Sequence, residues 1–584
     1  MTMKTKFNDQ KRNQAGGALM LTLILSAIAL ALLAAAMSWS ASSTKLTYRS
    51  IQYNRSIAAA EAATEKVISQ MNRDYLYGGE SLVSNNLTSY RQNLVPSSSD
   101  SSYWNTWQFD DGNGNSGRTY VQRSPGTSFV VASSTYAGLQ GFASTYTIAS
   151  HASDTANPQN VNGGVLQQLQ LASIPIFQFA MYSSGEMEIS CGQAFTVTGR
   201  VHSNGKLYVE PDSALTFKSS VTAVLSVLFQ RDPLDTRTPP SGTVVYAQTN
   251  QPVYPVSSLT LPIGTTNTPQ AVREIIEPPP LGEDPNSPIG RLRYFNLCDM
   301  VLVVSDSGIS ATSGQQVNGM STPILTNELA NFVSTANSFT DARESKTVKP
   351  IDINIGKLTA WSLTNTSLRF ATGGSNLILN SLYVVDNRTL PATSLGAVRV
   401  FNGTNLPPNG LTVATGRPLY VWGDYNELNA ANLGTTNTST TRPASLVGDA
   451  ITILSDAWLD ANSGSMQPAK PTTVNAAILT GAVDTTSGQY SGGMENFPRF
   501  LESWGSANPF TYNGSMIKMF PSLYATNFWN GVNGSKHYYD PPKRNWAYDA
   551  NFDNPLKLPP KTPSLLQVIR GQWAAVPPGQ NTAP

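Results

Sequence analysis

From Ala15 to Met37 only Thr22 and Ser26 interrupt an apolar run, and a stretch with Lys4, Lys6, Lys11 and Arg12 precedes it. At 1.5 Å per residue, a helix of that length crosses the hydrocarbon core of a bilayer. The run exceeds the usual core of a cleaved secretory signal, so it predicts a retained or specially processed membrane helix. The basic flank keeps the N-terminus cytoplasmic and sends the bulk of the chain across. Trp39 then stands at the interface. No Gly or Pro occurs from Ala18 to Tyr77, and Gly78-Gly79 supplies a stop. The pattern predicts one helix over 18–77, about 90 Å long. Its outer half is amphipathic, with Leu46, Tyr53, Ile57, Ala60, Thr64, Val67, Ile68 and Met71 near one face and Lys45, Arg49, Arg55, Glu65 and Arg73 opposite. That face should lean on a globular body or on neighbouring helices.

Beyond Leu82 the period changes from helical to alternating. SSYWNTWQF and TSFVVASSTYAGLQGFASTYTIAS alternate apolar and polar positions, as strands with one buried face do. In MEISCGQAFTVTGRVHSNGKLYVEPDSALTF, apolar pairs (Phe195/Val197, Leu207/Val209, Leu215/Phe217) recur between small polar turns. The same style returns in GAVRVFNGTNLPPNGLTVATGRPLYVWGDYN and TTVNAAILTGAV. The expected fold class is therefore mainly β, a β-solenoid- or β-sandwich-like body behind one long N-terminal helix. These signals divide the chain into a leader (1–17), the helix (18–77) and a small β-rich region (80–172). A first repetitive part (173–231), a Pro-rich surface excursion (232–290) and a second β-rich part (291–535) follow. The second part carries a helical insert near 324–345, and an aromatic- and Pro-rich C-terminal strap (536–584) lies over the body.

Composition narrows the function. Only 13% of residues are charged, against about a quarter in ordinary domains, and the net charge is +1. That balance gives no electrostatic case for nucleic acid. Three His and two Cys leave little material for a metal centre or thiol chemistry, and no cofactor motif is present. Cys191 and Cys298 are either a disulfide pair in an exported chain or two buried thiols. Asp111-Gly112-Asn113-Gly114-Asn115 starts like a calcium loop, but Ser116 and Gln122 occupy the anchor positions, which favours a plain turn. Asp424 with Glu427, and Asp456 with Asp460, read as polar turns. Their alternative is the acid/base pair of a polysaccharide lyase or glycosidase. In SGGMENFPRFLESW, Glu495, Arg499 and Trp504 form a candidate surface patch for a partner or a carbohydrate, against a plain structural helix.

The segment KRNQAGGALMLTLILSAIALALLAAAMSWS followed by SIAAAEAATEKVISQM resembles the N-terminal region of PilX-type minor pilins and of the large minor pseudopilin of type II secretion. The resemblance implies a leader cut by prepilin peptidase after Gly17, leaving Ala18 first, or after Gly16. Bulk pilins of this kind carry Glu five residues after the cut; here the position is Thr22, or Leu21 for the earlier cut, as minor members often have it. The implied function is non-enzymatic: a minor pilin-like envelope protein for pilus priming, tip capping or adhesion. Its implied partners are other pilins or pseudopilins, the inner membrane and the peptidase. The β body would then be periplasmic or displayed outside the cell.

Overall fold

The computed structural model describes residues 14–130, 138–157, 159, 161–313, 322–368, 377–529 and 537–577. The leader up to residue 13 lies outside the described residues. The chain is mainly β with one long N-terminal helix, Gln14–Asn85. Gly78-Gly79 is a kink and not the expected stop: Gly79 takes φ 67°, which glycine tolerates, and helix resumes to Asn85.

The outer half of this helix lies on a small antiparallel sheet. Gln140–Asp154 pairs on one side with Trp107–Asp110 and Tyr120–Val130, and on the other with Gly163–Pro175. The fourth position is filled by Ser564–Val576, which pairs with Gly163–Pro175. The interval expected as a strap over the body, 536–584, is therefore built into both sheets as far as Val576. Arg544–Tyr548 joins the large body, and the final strand closes the small sheet. The whole large body is an insertion between Pro175 and Ser564.

Residues 179–246 make three stacked turns, with Met181, Val201 and Val221 in register twenty residues apart. Two further short parallel sheets, Met187–Ile189 with Leu207–Val209 and Phe195–Val197 with Ala214–Phe217, line the other sides of the same turns. The C-terminal half adds its strands to the same ladder in reverse spatial order. One row of inward residues therefore runs Met300, Leu382, Val413, Leu446, Ile478, Met516, Met181, Val201, Val221. All nine are buried in one core. A second parallel sheet faces it, with Ile353, Val400, Val421, Ile453 and Phe500 in register. The join between Met516 and Met181 brings together residues more than three hundred apart in sequence.

The outward row of the ladder is also buried: Val301, Tyr383, Ala414, Val447, Leu479, Ile517 and Tyr182 belong to a second apolar cluster. Its cover is the Pro-rich segment. Leu259, Leu261, Ile263, Val272, Ile275 and Ile276 are buried against it, so this interval is a sealing band and not the expected surface excursion. The band runs the length of the ladder. Val253 bridges to Thr222 at one end; the Tyr182 hydroxyl donates to Leu259 O at 2.6 Å, and the Tyr383 hydroxyl to Ile276 O at 2.7 Å. Arg273 pins it by an ion pair to Asp449 at 2.7 Å. Proline fits here because such a band needs extended backbone without a ladder of its own.

The helical insert lies elsewhere than the pattern suggests. Over 324–345 only Thr326–Leu329 is helical, because Val333–Ser334 and Phe339–Asp341 pair antiparallel with Lys346–Asn354. The ten-residue helix is Ile355–Thr364, opened by Asn354, whose side chain accepts from Lys357 N at 3.0 Å.

Two outcomes follow from the sealed ladder. Ile276→Ala removes buried side chain from the band and should cost about 2–5 kcal/mol of stability, read by denaturant unfolding of the full chain. The second concerns His202, which continues the outward row beneath the band, stacked on Tyr182 with ring centres 5.6 Å apart. Burial holds its imidazole down at about 4, against 6.5 when unfolded. A depressed base loses stability as pH falls, so the loss should begin below about 6.5 and be complete near 4. His202→Gln should flatten the melting profile across that window; equal slopes for both proteins would contradict the assignment.

Candidate functional site

The candidate functional element is the long helix, because its two halves have opposite surroundings. Gly17 through Ile51 are exposed without exception, including Leu19, Leu23, Leu30 and Trp39, and the first buried side chain is Gln52. That free half is about 50 Å long. It is long and apolar enough to cross a membrane. It holds no charge between Ala18 and Met37, and the Thr22 hydroxyl is satisfied within the helix by donating to Leu19 O at 2.8 Å. From Ala18 to Met37 such a surface can offer lipid or a neighbouring helix only shape and apolar contact, whereas 38–51 is polar and carries Lys45 and Arg49. Gly16, Gly17 and Ala18 lie at the start of this helical run.

The other half belongs to the fold. Gln52, Ser56, Ala59, Ala60, Ala63, Val67, Met71 and Tyr75 are buried at three- and four-residue spacing. The expected face is shifted slightly: Ala60, Thr64, Val67, Ile68 and Met71 are buried, Tyr53 and Ile57 half-buried, and Leu46 exposed. Small residues set the approach. A side chain at Gly163 would meet Ile57 N at 3.0 Å and Tyr53 O at 3.2 Å, so glycine is what lets sheet and helix touch there. Polar ties fix the register: Ser56 Oγ donates to Val161 O at 2.8 Å, and Gln167 Nε2 to Thr64 Oγ1 at 3.0 Å. Arg570 of the final strand pairs with Glu65 at 2.5 Å, and that guanidinium holds the Glu65 carboxyl below its ordinary value.

The other residues singled out from the sequence have structural roles. Glu495, Arg499 and Trp504 are 2%, 6% and 1% exposed, so they form no surface patch. Glu495 accepts from Ser190 N at 3.0 Å and from the Tyr490 hydroxyl at 2.9 Å. Arg499 pairs with Glu344 at 2.7 Å, and Trp504 packs against Phe500 with ring centres 5.5 Å apart. The alternation of PRF places Arg499 in the outward row of the second sheet, in register with Thr452. Neighbouring Glu502 is fully buried against Ser455, and burial raises its carboxyl to about 7.

Cys191 and Cys298 are buried free thiols. One sits in the inner core and the other in the cluster outside the ladder, so the bridge does not form. Asp111 accepts from Asn113 N at 2.9 Å and Asn115 N at 3.1 Å, anchoring a turn. Asp424 accepts from Thr473 N at 2.7 Å, whereas Glu427 accepts from Asn429 N at 2.9 Å and the Thr440 hydroxyl at 2.6 Å. Asp460 is held by Arg399 at 2.6 Å. Each of these carboxylates is therefore engaged in local structure. A feature the sequence reading missed is Arg343, an almost fully buried guanidinium in an edge turn with no motif around it.

No protein-family model matches the chain, and no curated protein matches it. Among solved structures, the competence-associated pilin ComZ from Thermus thermophilus aligns over 87% of this chain and 97% of that chain, at 10% identity and a TM-score of 0.27, below the level of a shared fold.

Proposed function

We propose that this chain is a non-enzymatic, pilin-like envelope protein, anchored and assembled through Gly17–Ile51 and displaying the β body. The observation that carries the reading is the division of one continuous helix. Its first half opens with an apolar run to Met37 and is entirely free of the fold, and its second half is the spine of the small sheet. A merely structural helix would bury its apolar length. A simple membrane tether would not continue unbroken into the body's own core.

The finer reading is a minor subunit of a type IV pilus or of a related secretion system. Prepilin peptidase would remove the leader after Gly17, and the body would serve priming, tip capping or adhesion. Thr22 in place of an acidic residue supports a minor position. A filament interior is apolar, and a buried carboxylate there needs a neighbour's positive charge. The hydroxyl of Thr22 needs none, since it is satisfied by Leu19 O. The body's low charge suits a displayed surface that meets neutral ligands such as carbohydrate, with nothing to recruit nucleic acid.

N-terminal sequencing of the mature protein tests the processing. A start at Ala18 or Gly17 is expected, and replacing Gly17 by a bulky residue should leave the leader in place. An intact Met1, or a start beyond Met37, would contradict the reading.

A further inference from the structure

A small cavity opens where the ends of the main ladder meet the second sheet. It is lined by Glu188, Arg343, Ser491, Asn496, Arg499 and Lys518, among others. Arg343 is 4% exposed. Its Nε donates to Asn527 O at 3.1 Å, and its two terminal nitrogens have no hydrogen-bond acceptor among the described residues. Those two nitrogens face the cavity, where an acceptor that enters can bond them directly.

The acids nearby are already engaged. Glu344 takes Arg499 at 2.7 Å and the N–H groups of Thr526 and Asn527 at 3.1 and 3.2 Å. Asp341 accepts from Glu344 N at 2.9 Å and from the Tyr420 hydroxyl at 2.6 Å. On the far wall, Lys518 pairs with Asp484 at 2.6 Å. Glu188 accepts from the hydroxyls of Thr485 and Ser491 at 2.7 and 3.2 Å, and burial raises its carboxyl to about 8, so it is protonated at neutral pH. Burial, then the charge of Arg499, lowers Arg343 to about 9, which still leaves it cationic. Two guanidiniums, Arg343 and Arg499, thus face two carboxylates, Glu344 and Asp341, and of the two guanidiniums only Arg343 has no carboxylate bonded to it.

We propose that this cavity is a binding site for a small free monoanion, a halide or a carboxylate of formate size, held by Arg343. The space of about 30 Å³ admits an ion of that size and excludes a sugar ring or a phosphate ester. Bound there, the anion ties the edge turn at Arg343 to the loop at Ser491 and the ladder end at Lys518. It acts as an internal fastener between the two sheets.

The test uses the full-length protein in detergent at constant ionic strength, with gluconate (too large to enter) replaced stepwise by chloride or by formate. Chloride or formate should raise the melting midpoint saturably, by about 2 °C, and Arg343→Gln should abolish the rise. Bromide soaked into crystals of the unaltered protein should give an anomalous peak within hydrogen-bond distance of the Arg343 terminal nitrogens, a result that stands even if the variant fails to fold. The proposal is overturned if the unaltered protein shows no rise above gluconate, if the rise persists in Arg343→Gln, or if no bromide peak lies at Arg343.

Discussion

A parallel ladder has to be covered on both faces, because its strands carry apolar residues to each side and its crossovers leave neither face to water. Here the inner face closes on the second sheet, and the outer face needs a cover of its own. The chain supplies one by its route. It coils three turns outward to Val221, lays the Pro-rich band back along the whole outer row, and starts again at Met300 on the far end. It then coils inward until Met516 meets Met181. The band is as long as the ladder because it must both seal that face and return the chain to the opposite end.

The same logic of insertion sets the relation between body and helix. Pro175 and Ser564 leave and re-enter the small sheet as neighbouring strands, paired at that point. The large body can therefore grow without disturbing the seat of the helix. Arg570–Glu65 and the Leu566 N to Thr260 O bond at 2.8 Å tie the last strand to the helix and to the band. Charge is spent inside as well. Arg273, Arg293, Arg399 and Arg499 are all buried and paired, so the body's surface is more neutral than a 13% charged chain already suggests.

Much of this was legible in local pattern. The apolar run, the glycine-free stretch to Tyr77 and the small-residue face at Ala60 and Thr64 speak through periodicities that one segment carries by itself. The recurring apolar pairs at Phe195, Leu207 and Leu215 likewise announced short strands. What could not be read depended on distant partners. Leu259 and Ile276 look like loop residues until Tyr182 and Tyr383, far apart in sequence, offer hydroxyls to their carbonyls. Ser564–Val576 looks like a tail until it meets Gly163–Pro175. Glu495 and Arg499 have the composition of a surface patch, yet Ser190 and Glu344 are waiting for them in the interior. Helix Ile355–Thr364 carries one local signal, its Asn354 cap, directly behind the strand Lys346–Asn354.

The helix divides at Gln52: it is free of the fold before that residue and part of the folded body after it. The most direct measurement compares thermal unfolding of the full-length protein in detergent with that of a chain beginning at Ile51 in plain buffer. The shortened chain should be soluble and folded and should melt within about 2 °C of the full-length protein, since no side chain from Gly17 to Ile51 is buried. A shortened chain that is unfolded, or that melts far below the full-length protein, would contradict that division of the helix.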